Sequence, residues 1–167
     1  LDLIHSDLIK ADILVFTPKG EQKSIEKGAT ALDFAYSIHS EIGNRAIAAK
    51  VNFRLVPLSY VLRTGDQVEI ITAENETPKR EWLQFVKSSK ARKFIMDHLK
   101  SERQTVVKTG KKLLEEELAK IGRSMTDKTI HSLMEEYEIF DSKPEDMYFK
   151  IGSGLITLED LDGKLKK

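Results

Sequence analysis

Residues Thr30 to Gly43, TALDFAYSIHSEIG, constrain the fold more than any other stretch of this chain. Thr30 has the hydroxyl that caps a helix N-terminus, and Asp33 three residues on completes a capping-box variant with Asp in place of Glu or Gln. Phe34, Ala35 and Ile38 then predict an apolar stripe on a short amphipathic helix. The helix is expected to stop between Ser40 and Gly43, with Gly43 as the residue after the C-cap. His39 falls at its C-terminal end. β-rich segments flank it: DILVFT before, and RAIAAKV and QVEIIT after. A helix of this length packs naturally across one small sheet.

Taken in order, residues 1–10 predict the end of a helix entering from a preceding domain. Asp12 to Thr17 predicts a strand, stopped by Pro18-Lys19-Gly20, and Gln22 to Glu26 a returning strand. After the helix, Ala46 to Val51, Arg54 to Leu58 and Gln67 to Thr72 predict further strands, with turns at Asn52-Phe53 and Thr64-Gly65-Asp66. Two strands, a helix and more strands is the order of a β-grasp domain. Ala73 to Pro78 is polar and predicts a linker. Beyond it the apolar period becomes helical: Trp82, Phe85, Val86, then Ala91, Phe94, Ile95, Leu99, then Leu114, Leu118, Ile121. Gly122 is placed as a C-cap. Helices are predicted after Thr126, from Pro144 to Lys150, and from Thr157. The predicted architecture is α+β: a β-grasp domain over 11–75 and an all-α domain over 79–167.

The formal charge is zero, but its distribution is uneven. Lys79 to Lys112 holds eleven Lys and Arg against three Asp and Glu, and Leu113 to Asp146 holds ten acids against four bases. A basic block is the electrostatic signature of an anionic partner, although most charge runs are solvated faces. Lys111 and Lys112 can also pair with Glu115, Glu116 and Glu117. There is no cysteine, so disulfides and thiolate metal sites are excluded, in keeping with a reducing cytoplasm. No apolar run has membrane-spanning length and no leader is visible. The first residue, Leu1, and the last, Lys167, are read as the ends of a piece of a longer protein. His5, His39, His98 and His131 lie too far apart for a metal-ligand pattern. The FTPKG loop lacks the phosphate-cradling GxxxxGK[ST] spacing, and no GxSxG or HExxH occurs. No constellation supports an enzyme within this chain.

VFTPKG (15–20), GATALDFAYSIHSEIG (28–43), AKVN (49–52) and GDQVEIIT (65–72) together resemble a TGS domain. PKREWLQFVKSSKARKFI (78–95), KKLLEEELAKIG (111–122) and IGSGLITLEDL (151–161) resemble the helical domain that follows TGS in bifunctional RelA/SpoT-family (p)ppGpp synthetase/hydrolases. The resemblance implies a regulatory segment without cofactor of its own. In such enzymes the catalytic domains precede it and use magnesium or manganese, with GTP diphosphokinase and (p)ppGpp 3′-diphosphatase activities. It implies that His39 contacts the 3′ CCA end of an uncharged tRNA on the ribosome. Arg45, just after the helix, is a candidate support of the same surface, and from the basic block Lys87, Lys90, Arg92, Lys93, Lys100 and Arg103 are candidates for tRNA phosphate contacts. The bland reading of His39 is a helix-terminal residue satisfied by the dipole, of Arg45 a strand-edge charge, and of Trp82 and Phe85 ordinary core. Two other partners follow from the resemblance: acyl carrier protein, and the enzyme's own catalytic domains held in a clamp. Relatives often carry Asn-Gly at the hairpin where this chain has Asn52-Phe53. That leaves the turn type open and marks Phe53 as a candidate partner surface.

Overall fold

The computed structural model describes residues 12–166; the helix expected over 1–10 lies outside them. The described chain divides into two compact units, through Leu99 and from Lys100.

In the first unit β1 (Ile13–Phe16) and β2 (Gln22–Ile25) form an antiparallel hairpin. Helix α1 (Ala31–Ile38) and the five-residue α2 (Ser40–Asn44) follow. Next come β3 (Ala46–Val51), β4 (Arg54–Val56) and β5 (Val68–Thr72), antiparallel in the order β4-β3-β5. Phe16 bridges to Gln67 in parallel, which brings β1 alongside the chain entering β5. This is the β-grasp arrangement, with α1 as the grasped helix.

The capping box at α1 forms as its spacing predicts: Asp33 N–H donates to Thr30 Oγ1 and Thr30 N–H to Asp33 Oδ2. The amphipathic stripe does not. Ala31 through Tyr36 are all buried, whereas Ile38 is exposed at the helix end. The reason is that α1 is covered on two sides. Ala31 and Phe34 join Val15, Val51 and Val68 on the sheet. Leu32, Ala35 and Tyr36 join Trp82, Val86, Ala91 and Ile95. A helix covered all round loses its polar face, and each buried Leu or Phe contributes about 1.5–3 kcal/mol.

That second layer comes from beyond the β-grasp. Trp82 lies in a short 3-10 turn, Arg80–Gln84, and Ala91 and Ile95 lie on the first turns of α3 (Ser89–Lys120). The sequence division began a helical domain at 79; the packing groups the chain through Leu99 with the first unit and places Trp82, Val86, Ala91 and Ile95 in its core. Gly43 is also placed differently. It sits inside α2, buried against the ring of Tyr36, where an added Cβ would overlap the aromatic carbons.

The second unit contains the rest of α3 with α4 (Asp127–Glu136), α5 (Pro144–Gly152) and α6 (Leu158–Leu165). Gly122, at φ +74°, ends α3, with Arg123 N–H reaching back to Leu118 O. Thr126 and Thr157 cap α4 and α6. Leu114, Leu118, Met147, Ile151 and Leu161 fill the core. Gly110 on α3 and Gly152 on α5 let the two backbones meet. A Cβ on Gly110 would overlap the Tyr148 carbonyl, and one on Gly152 the Val106 carbonyl.

Candidate functional site

His39 separates α1 from α2. Its backbone is extended (φ −164°, ψ 144°), so a single residue breaks the helix. It ends α1, donating its N–H to Ala35 O at 3.3 Å. It also begins α2, because Nδ1 accepts from Glu41 N–H at 3.0 Å. The histidine thus stands at the C-terminus of α1 as its position in the sequence predicts, and the structure adds a second role: the ring is the N-cap of the next helix. The consequence is chemical. With Nδ1 committed as acceptor, a neutral ring carries its hydrogen on Nε2. The side chain is exposed, and Nε2 makes no hydrogen bond among the described residues. What it offers a ligand is one N–H donor and a ring face, in place of the donor-acceptor pair expected of a free imidazole.

This end of the molecule is fixed by packing beneath it. Tyr36 donates its hydroxyl to Asn44 Oδ1 at 2.9 Å, which ties α2 back to α1. Its ring stacks on Phe94 of α3, with centroids 6.0 Å apart and planes 5° from parallel. Burial pushes the Tyr36 hydroxyl well above the ordinary tyrosine value. Arg45 closes α2 at its other end, about 9 Å along the helix from His39 by the rise per residue. Its Nε lies 3.2 Å from Glu41 Oε2. The strand-edge reading of Arg45 is thus replaced by a helix-end ion pair.

The basic residues meet the other end of α1. Here the organising group is Asp33, which sequence reasoning used only as a capping residue. Its carboxylate is 1 % exposed. It accepts from Thr30 N–H and Oγ1–H, from Lys87 N–H, and from Ser88 N–H and Oγ–H, all between 2.8 and 3.1 Å. Ser88 Oγ in turn accepts from Ala91 N–H at 3.1 Å, capping α3. The serine pair before KAR was a legible N-cap signal; the link to Asp33, 54 residues away from Lys87, was not.

The side chain of Lys87 runs past the Gly28 turn. Lys90 and Lys93 are exposed on α3 and make no ion pair or hydrogen bond among the described residues. Arg92 is used structurally: Nη2 donates to Leu83 O at 3.2 Å and Val86 O at 3.4 Å. In the second unit Arg103 lies 2.8 Å from Asp146 Oδ1 and over the Phe149 ring at 4.3 Å. Glu117 pairs with Lys120 at 2.8 Å, the nearest cation one turn on. The Lys87 backbone and His39 therefore share α1 as a common support, Arg45 joins through α2, and Lys90 and Lys93 follow on the adjacent helix.

No three His, Cys, Asp or Glu side chains converge to hold a metal among the described residues. Among them no helix is long and apolar enough to cross a membrane.

The fold and the ordered pair of units define the class: residues 13–72 match the TGS domain and residues 99–165 the RelA/SpoT AH domain. The chain belongs to the RelA/SpoT family. It is 42% identical over 162 residues to the guanosine-3′,5′-bis(diphosphate) 3′-pyrophosphohydrolase of Aquifex aeolicus, covering 96% of this chain and 23% of that protein. It is 36% identical to the GTP pyrophosphokinase of Myxococcus xanthus, covering 99% of this chain and 22% of that protein. It is 37% identical to the Escherichia coli K12 GTP pyrophosphokinase, covering 96% and 22%. The chain thus spans less than a quarter of the length of these relatives. The two family matches are to the TGS and AH domains, consistent with stringent-response regulation, and neither is to a catalytic domain.

Proposed function

We propose that this chain is the regulatory segment of a cytoplasmic (p)ppGpp synthetase/hydrolase, and that it senses the 3′ CCA end of an uncharged tRNA on the ribosome. The observation that carries the reading is the posture of His39: exposed, fixed through Nδ1, with its Nε2 N–H and ring face turned to solvent. An imidazole held this way donates to a ribose hydroxyl or base acceptor and offers a stacking face. Closure around a free 3′ hydroxyl leaves no room for an aminoacyl group. Lys87, Lys90 and Lys93 supply phosphate contacts that add affinity without reading sequence. Arg45 lends a further charge, while Arg92 contributes chiefly through the turn it holds. Binding energy at this surface biases the catalytic domains of the parent enzyme, with their magnesium or manganese, only if one arrangement of those domains binds tRNA better than the other.

The test compares charged and uncharged tRNA on ribosomes carrying the full-length protein. Wild type discriminates between them. His39→Asn preserves the N-cap, since Asn caps well, and so holds stability within about 0.5 kcal/mol. It removes the imidazole, and uncharged-tRNA affinity falls by about tenfold, the worth of a good hydrogen bond. Equal binding of both tRNAs by wild type defeats the reading. Capture of acyl carrier protein or of the catalytic domains, unaffected by His39→Asn, moves the function to a protein partner.

A further inference from the structure

The outer end of the β3–β4 hairpin carries a side chain that neither the core nor the His39 surface uses. Phe53 is 83 % exposed, and its backbone stands at φ +69° beside Asn52 at φ +51°. Both central residues of the turn are left-handed, the geometry that suits the twist of the flanking strands. Asn tolerates that region; Phe, with a Cβ and no polar tip to bond locally, is strained there. The turn is nevertheless held firmly. Asn52 N–H donates to Gln67 O at 2.9 Å, and Gln67 N–H donates to Asn52 Oδ1 at 3.0 Å. Asn52 Nδ2 donates at 2.9 Å to Asp66, a buried carboxylate that also accepts from Arg63 N–H at 2.8 Å. A large apolar ring is thus kept in solvent, on strained backbone, by a built network. Strain that its surroundings maintain, with no packing in return, points to a ligand.

The neighbours indicate which one. Arg54 and Arg63 are exposed, while Asp66 is turned inward and satisfied. The next exposed apolar side chain, Leu55, stands two residues on, with Arg54 between them in sequence and Lys50 opposite it, so exposed cations accompany the ring at this end of the hairpin. We propose that Phe53 is a stacking platform for an unpaired base of an RNA strand whose phosphates are met by Arg54 and Arg63. The inference rests on the reading of this chain as an RNA-facing module, and places a second contact on a different edge of the β-grasp unit from His39.

The test uses the full chain, a short fluorescent single-stranded RNA of mixed sequence, and the same strand annealed to its complement. Phe53→Gly and Phe53→Asn relieve the turn, raising Tm by about 2–4 °C. They also weaken single-strand binding by about tenfold, as expected for loss of one stacked base. Phe53→Trp keeps the affinity, and duplex binding is the same for all variants. A gain in stability coupled to a loss of binding is a signature that a packing role does not give. Wild-type affinity in Phe53→Gly or Phe53→Leu overturns the platform, the latter in favour of an apolar protein pocket; a fall in Tm for both Gly and Asn variants overturns it in favour of packing. Absence of single-strand binding by wild type also sinks it. In each of these cases the tRNA reading is decided separately, by the charged-against-uncharged comparison.

Discussion

The two units bury their helices by opposite devices. In the first, a carboxylate is taken out of water and given five donors, and the Lys87-Ser88 junction is fixed to α1 by directional bonds. In the second, Gly110 and Gly152 omit their side chains so that α3 and α5 touch backbone to backbone. The first device holds position through polar satisfaction and fails when an acceptor is lost. The second holds it through shape and fails when volume is added. A surface meant to present His39 in a fixed posture gains from the first kind, because hydrogen bonds specify orientation as well as distance.

The largest effect is expected from breaking the carboxylate. Asp33→Ala strands several buried donors at once and costs the first unit roughly 3–5 kcal/mol. Trp82 is the single tryptophan and lies buried in this unit, so its fluorescence in urea unfolding reads the loss directly. Accelerated hydrogen exchange at Lys87, Ser88 and Ala91 identifies the mechanism. A cost below about 1 kcal/mol, the net worth of an ordinary hydrogen bond, removes Asp33 from its central place.

Adding one methyl group to the second unit comes next. Ala is the better helix former by about 1 kcal/mol, yet Gly110→Ala is expected to destabilise by about 3 kcal/mol because its neighbour is backbone. Gly43→Ala, pressed against the Tyr36 ring, costs about 1–2 kcal/mol since a ring yields more easily. Thermal melts followed by circular dichroism rank the pair, and the reverse order breaks the contrast drawn between backbone and side-chain contact.

The smallest effect is alkaline. Burial raises the Tyr36 pKa, so the unfolded chain releases this proton near pH 10 while the folded chain retains it. The stabilisation is fully present below about pH 10 and is lost as pH rises beyond it. Tyr148, also raised chiefly by burial, gives the second unit the same direction. Trp82-detected unfolding at about pH 8 and pH 11 measures the decline, and Tyr36→Phe removes the part due to this hydroxyl.

Much of the fold was legible because its signals are local. Thr30 with Asp33, Thr126 with Thr129 and Thr157 with Asp160 are capping contacts within four residues, and spacing alone places them. Gly122 as a terminator follows from its need for positive φ. The site was less legible. His39 was visible as the histidine at the C-terminal end of its helix, but that it also caps a second helix, and which nitrogen faces outward, depended on a break of one extended residue. Arg92 read as a free cation because the carbonyls it holds belong to a turn whose path the sequence leaves open.

The sequence by itself determined that a capped helix lies among short strands and that helices follow, since hydrogen-bond spacing and apolar period act over a few residues. Only the tertiary structure decided that α1 is covered on two sides, that Gly43 is a packing residue, and that Asp33 closes on Ser88. Those contacts join residues far apart in the chain, and their energies exist only once both partners have left water together.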